Sequence, residues 1–215
     1  MKLSLVTIGQ APRTDFNEFL KENSSIIIEH IGILDEYKND FPKPVTDNIL
    51  VSRLKDGGQV QLDKSFAVEK VKDTIAELEK GDTDIILIAC TGEFEFFDST
   101  KPIIYPDKLV GNIISTVFDE KICVLVPDKK QVDYIIKKWD KVGIDTVILD
   151  ISPYNYTEDD IDRVAEELNN LEMNHVICDC MGYNLMFKNE LQKRTNKNII
   201  LSNEVIFSNI FALIS

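Results

Sequence analysis

The 215-residue chain predicts an α/β protein of parallel sheets, and three observations carry that reading. The apolar run at 84–89 (DIILIA) is short, Ile-rich and unbroken rather than alternating, the pattern of a parallel strand buried on both faces. The same arrangement, a strand-like segment ending in a cysteine, recurs 90 positions later at 174–180 (NHVICDC), and a gapless overlay puts Glu77 on Glu167, Leu78 on Leu168, Cys90 on Cys180 and Gly92 on Gly182. Beyond residue 120, strand-like and helix-like segments alternate at regular spacing, which argues for parallel strands joined by right-handed crossovers. Ligands of open α/β sheets bind at the carboxyl ends of the strands. Cys90 and Cys180, each where its run stops, therefore stand at the edge where chemistry is expected.

In chain order, Lys2 to Ile8 reads as the first strand and Gly9 to Arg13 as the loop at its end. Thr14 is placed to cap a helix running to about Lys21, with Asp15 and Glu18 where the helix dipole favours acids. Ser25 to Ile31 is a second strand, and the polar stretch Asp35 to Asp47, with Pro42 and Pro44, interrupts regular structure. Ile49–Leu54 and Gln59–Leu62 flank Lys55-Asp56-Gly57-Gly58, whose glycines supply the positive φ of a hairpin; it reads as an ornament on the core. Phe66 to Lys80 carries a helical stripe of Phe66, Val68, Val71, Ile75 and Leu78, closed by Gly81. After the Cys90 strand comes an aromatic, acidic loop, and the change of domain is placed at the extended link between Pro102 and Pro106.

The second half reads as a helix from Asp107 to Asp119, a strand Lys121–Val126, a helix Asp128–Val142 ended by Gly143, and a strand Asp145–Ile151. Thr157 to Asp160 opens an acidic helix to about Leu171 with a capping box that has Asp in place of Glu. The Cys180 strand, a helix from Tyr183 to Leu191, a strand Asn198–Leu201 and an apolar helix from Glu204 to Ile214 complete the chain.

Composition narrows the function. Hydrophobic content of 44% and charged content of 28% suit a packed globular protein, and no apolar run approaches the roughly 20 residues that cross a membrane. Leu3 to Ile8 is too short and too soon interrupted for a secretory segment, so a cytoplasmic protein is expected. The net charge of −13, from 37 acidic and 24 basic residues without a dense basic cluster, argues against a nucleic-acid partner. The four cysteines show no metal-finger spacing, and Cys178-x-Cys180 alone supplies too few ligands for a tetrahedral site, so no metal is expected. Hydrolase elbow, zinc-protease, Walker and dinucleotide motifs are missing from the sequence.

A cysteine acts as base or nucleophile only as thiolate, and backbone N–H groups opening a following helix stabilise that anion. Cys180 fits this well, because Gly182 allows a tight turn and a helix follows; Cys90 fits less well because no clear helix follows it. Cys123 and Cys178, inside their strands, read as small core hydrophobes, and His30 and His175 as core or sheet-edge residues. Arg13 is placed to pair bidentately with a substrate carboxylate, with Arg53 in the hairpin a weaker candidate. Phe94, Phe96 and Phe97 read as interface or core rather than as a ligand stack.

Four segments, 7–15 (TIGQAPRTD), 50–57 (LVSRLKDG), 90–94 (CTGEF) and 179–183 (DCMGY), resemble the AroM family. Its layout is similar to the aspartate/glutamate racemase superfamily, in which two α/β domains face each other and each supplies one cysteine. The resemblance implies two flavodoxin-like parallel-sheet domains around a central cleft. These would be residues 1–104, to which the helix 204–215 returns, and residues 105–203. It further implies cofactor-independent chemistry on a small organic acid by Cys90 and Cys180: racemisation by two thiols, cis-trans isomerisation through a thiol adduct, or decarboxylation. Gly9, Gln10, Arg13, Arg53, Thr91, Gly92, Met181, Gly182 and Tyr183 form the expected substrate-binding set. Racemases commonly follow the first cysteine with Asn-Thr and the second with Thr-His, whereas Thr91-Gly92 and Met181-Gly182 stand here. A non-catalytic cytoplasmic binding or regulatory protein on the same fold stays open, as does a homo-oligomer.

Overall fold

The computed structural model describes residues 1–20, 26–38 and 40–214. Its first sheet joins β1 (Lys2–Thr7), β2 (Ile27–Gly32), β5 (Ile85–Ile88) and β6 (Ile103–Ile104) in the order β2-β1-β5-β6, all parallel. The second joins β7 (Ile122–Val126), β8 (Thr146–Asp150), β9 (His175–Cys178) and β10 (Asn198–Leu201) in the order β10-β9-β7-β8, again all parallel. Counted from the first strand of each half, both sheets read second, first, third, fourth, the flavodoxin-like order. The switch points lie between β1 and β5 and between β7 and β9. Each cysteine leaves the sheet there, two residues past the end of its strand.

The repeat is therefore one of topology as well as of spacing. β5 starts at 85 and β9 at 175, whereas β1 starts at 2 and β7 at 122, so the first half has gained about 30 residues upstream of β5. The gain is the segment between β2 and α1 (Lys64–Leu78), which holds the antiparallel hairpin of β3 (Ile49–Arg53) and β4 (Gln59–Asp63). Gly57, at φ +93°, supplies the left-handed residue of its turn, and Gly58 does not share that role. The hairpin is no ornament. Gln61 Nε2 donates to Asp128 (2.6 Å), Ser152 Oγ to Gln59 Oε1 (2.5 Å) and Gln131 Nε2 to the Ile49 carbonyl (3.4 Å), so it bridges to the second half.

Period-two alternation divides the core around the first sheet. Leu3, Leu5, Leu87 and Ala89 face a large cluster that runs through α2 (Pro106–Val117) into the second sheet. Val6, Ile8, Ile86, Ile88 and Cys90 face the hairpin and the buried stripe of α1, Ala67, Val71 and Ile75. The second half follows its expected order with α3 (Val132–Asp140), α4 (Glu158–Asn169) and α5 (Leu185–Gln192). Thr157 and Asp160 close the expected capping box at the start of α4. α6 (Ser202–Ile214) leaves the second sheet and lays Phe207 against Phe16 and Phe19, with ring centroids 5.5 and 6.2 Å away.

Two further expectations are corrected. The segment from Thr14 makes only a 3-10 turn, Thr14–Phe16, because Arg13 and Phe16 are both drawn into the interior and the backbone closes i to i+3 instead of i to i+4. Thr14 makes no capping bond, and the helix end expected at Lys21 and the strand start expected at Ser25 lie outside the described residues. The helix expected from Asp128 starts at Val132 after a 3-10 turn, Lys129–Gln131, which Asp128 caps through Lys130 N–H (2.9 Å). None of the helices among the described residues is long and apolar enough to cross a membrane.

Candidate active site

Both switch-point cysteines line one narrow cavity of about 20 Å³, room for about one water molecule. The loop after β1 contributes Arg13, β3 contributes Leu50 and Ser52, and the cysteine loops contribute Cys90, Thr91 and Gly92 and Asp179, Cys180 and Met181. Gln131, Tyr134 and Tyr154 close the remaining side from the second half. The two loops are built alike. Each sulfur accepts the backbone N–H two residues on, Cys90 Sγ from Gly92 at 3.3 Å and Cys180 Sγ from Gly182 at 3.4 Å. A helix start was expected to stabilise Cys180 well and Cys90 less well, but α5 opens only at Leu185 and the donor is the turn itself, at both cysteines.

Burial raises both thiol pKa values, Cys90 from 9.0 to about 12. Against it act the turn N–H and one cation for each sulfur: Lys138 draws Cys90 down, and Arg13 draws Cys180 down. Tyr154 is partly buried but turns its hydroxyl inward, 3.8 Å from Cys180 Sγ. A Cβ built on Gly182 would lie 2.3 Å from that hydroxyl, so the glycine is there to let Tyr154 in rather than to make the turn.

Arg13 is 1% exposed, with its guanidinium 4.1 Å over the Phe16 ring, and three of its N–H groups bond Asp15 and Thr7 Oγ1. A guanidinium carries five, so one on Nη1 and one on Nη2 face no protein acceptor among the described residues. Two further polar atoms on the cavity wall stand without partners, Ser52 Oγ and Gln131 Oε1, in residues 1% and 7% exposed. Gln131 Nε2 points to the Ile49 carbonyl, which fixes the amide oxygen on the other side.

Of the expected site residues, Cys90, Cys180, Arg13, Thr91, Gly92 and Met181 meet at the cavity. Gly9, Gln10, Arg53, Gly182 and Tyr183 do not line it. Gly9 packs where a Cβ would lie 2.2 Å from the Arg53 carbonyl, and the Gln10 amide serves the Leu34, Tyr37 and Lys55 backbone. Arg53 reaches Asp15 Oδ1 (3.3 Å) and so backs Arg13 from behind, while Tyr183 turns its hydroxyl to the Ile151 carbonyl (2.7 Å). Cys123 and Cys178 are fully buried in β7 and β9. His30 Nδ1 accepts the Arg13 N–H, and His175 pairs with Glu120. Phe94 is core, whereas Phe96 is 76% exposed beside Tyr105. Among the described residues, no group of three or more His, Cys, Asp or Glu is placed to hold a metal ion.

Sequence reading missed Tyr134, Tyr154, Ser52, Gln131 and Lys138. One signal was available for the last: Ile135, Lys138 and Trp139 share the buried face of α3, and a lysine on an apolar stripe marks a buried partner.

The family model described as AroM protein matches residues 3–212 of the chain. No curated protein sequence matches it. Among solved structures, the maleate isomerase Iso from Pseudomonas putida S16 superposes with a TM-score of 0.68 at 10% identity, over 99% of this chain and 92% of that one. An allantoin racemase from Klebsiella pneumoniae gives 0.63 at 11% identity, over 99% and 87%. The Picrophilus torridus aspartate racemase gives 0.62 at 15%, over 99% and 94%. These likenesses establish the racemase-like fold.

Proposed function

The chain belongs to the AroM family, and from that premise and the cavity we propose a cofactor-independent enzyme of racemase or isomerase type acting on a small carboxylate-bearing molecule. The observation that carries the proposal is the pairing of Cys90 and Cys180 on one cavity, each with a turn N–H and its own cation. One thiolate takes the proton from the carbon beside the carboxylate and the opposite thiol returns one. The free Arg13 N–H groups hold the carboxylate, and Ser52 Oγ and Gln131 Oε1 meet other polar groups of the ligand.

A 20 Å³ cavity admits no organic acid, so binding opens the cleft on its hairpin side, along Gln61 to Asp128, Gln59 to Ser152 and Lys64 to Tyr134, and leaves the contacts between the two cysteine loops in place. We place the moving halves at residues 1–104 with 204–215, and 105–203, in a cytoplasmic protein. The similar folds named a maleate isomerase, an allantoin racemase and an aspartate racemase support the reaction type without choosing within it.

Thiols held protonated by burial, Cys90 up to about 12, favour a second reading, a binding protein on the same cleft without turnover. Screening the purified protein for solvent-deuterium incorporation into a panel of dicarboxylic and amino acids decides between them. Exchange that disappears in a Cys90→Ala/Cys180→Ala variant supports the enzyme; ligand binding without exchange supports the binding protein.

A further inference from the structure

Lys138 is 6% exposed and comes from α3, away from both cysteine loops in sequence, yet its ammonium touches each of them. It donates to both carboxylate oxygens of Asp179 (2.8 and 2.7 Å), the residue before Cys180, and to the carbonyl of Thr91 (2.8 Å), the residue after Cys90. An ammonium has three donors, and these contacts use them all. Asp179 is held further by Trp139 Nε1 (2.9 Å), and its carbonyl accepts Thr91 Oγ1 (3.1 Å), so the two loops are also tied directly. Among the described residues, the ammonium is the one charged group that reaches the backbone of the first loop and the side chain of the second.

We propose that Lys138 is a positioning residue that straps the two cysteine loops together and holds the thiols in one relative placement across the cleft. The proposal rests on the two-thiol reading for its use, but its geometry is that of the resting protein. A buried ammonium without its carboxylate, or the reverse, is strained by desolvation, so the informative change removes both. Lys138→Met with Asp179→Leu fills the same space with apolar side chains and cuts the strap. Lys138→Arg keeps the charge and a donor for each loop.

The experiment labels each variant with iodoacetamide at pH 10 and follows the four cysteines separately by peptide mass spectrometry. A thiol freed by opening of its loop regains its ordinary pKa of 9.0 and is mostly thiolate at that pH, so the rate reads accessibility. With the strap cut, the rates of both Cys90 and Cys180 rise at least tenfold, whereas Cys123 and Cys178, fully buried in their strands, stay slow. Lys138→Arg stays within threefold of the parent at all four. The proposal is overturned if Cys180 alone responds, if neither responds, or if all four rise together, since that last pattern is general loosening of the fold. Labelling needs no turnover. A failed strap is therefore distinguishable from a failed two-thiol reading, which the deuterium-exchange screen tests by itself.

Discussion

Gly182→Ala tests the account of how Tyr154 reaches Cys180. The new Cβ would lie 2.3, 2.4 and 2.6 Å from Tyr154 Oη, Cζ and Cε1, where ordinary contact begins at 3.4 Å. The clash involves ring atoms as well as the hydroxyl, so rotating the O–H relieves nothing. The ring must retreat by about 1 Å, the difference between 2.4 and 3.4 Å, and the 3.8 Å contact to Cys180 Sγ, already long, is lost. Overpacking of this kind costs about 1–3 kcal/mol. Urea unfolding of the parent, Gly182→Ala, Tyr154→Ala and the double variant measures it as a cycle. With the ring gone the added methyl has room, so the double variant should match Tyr154→Ala to within about 0.5 kcal/mol. Additive costs, or a Gly182→Ala variant as stable as the parent, would refute the reasoning. Gly92→Ala gives a contrast: its one contact under 3 Å is a single methyl of Leu50 at 2.7 Å, against three Tyr154 atoms at Gly182, so it should cost less.

Four further outcomes are expected. Phe207→Ala should cost about 3–5 kcal/mol, because Phe207 is 1% exposed and packs on Phe16 and Phe19. Removing residues 204–215, the last of which lies outside the described residues, should loosen the first sheet by amide exchange, and an unchanged melting temperature would contradict both. Arg13→Ala should cost about 3 kcal/mol, since it leaves the Asp15 carboxylate, 10% exposed, with Arg53 at 3.3 Å as its one remaining cation among the described residues; a loss below about 1 kcal/mol by urea unfolding would show that the pair is not held as described. Burial keeps the folded Cys90 thiol protonated to about 12 while the unfolded thiol ionises near 9.0, so its contribution is whole below pH 9 and is lost as pH rises toward 12. Urea midpoints at pH 8 and 10.5 should therefore fall less steeply in Cys90→Ala than in the parent, and equal slopes would count against the burial.

What was legible in the sequence is what local pattern controls. An unbroken Ile-rich run found β5, the 90-residue register found β9 and both cysteine loops, and Thr157 with Asp160 found the start of α4. The helix expected at Thr14 failed because its signals were local, while the segment answers to Arg13 and Phe16 being pulled inward. The hairpin was recognised as a hairpin, but its place as the wall of the cavity depends on Gln61, Gln59 and Ile49 meeting residues of the second half. Tyr154 and Lys138 escaped for the same reason. Tyr154 meets Cys180 across 26 positions and Lys138 meets Thr91 across 47, and neither spacing has a periodic signature.

The central claim is that Cys90 and Cys180 work from opposite sides of one ligand. Its most direct measurement follows solvent-deuterium incorporation into each enantiomer of a substrate found by the screen, with the parent, Cys90→Ser and Cys180→Ser compared side by side. The account predicts that either substitution abolishes interconversion, and that each single variant retains slow exchange with only the enantiomer whose proton faces the remaining thiol. Interconversion that survives the loss of either thiol at the parent rate would contradict it.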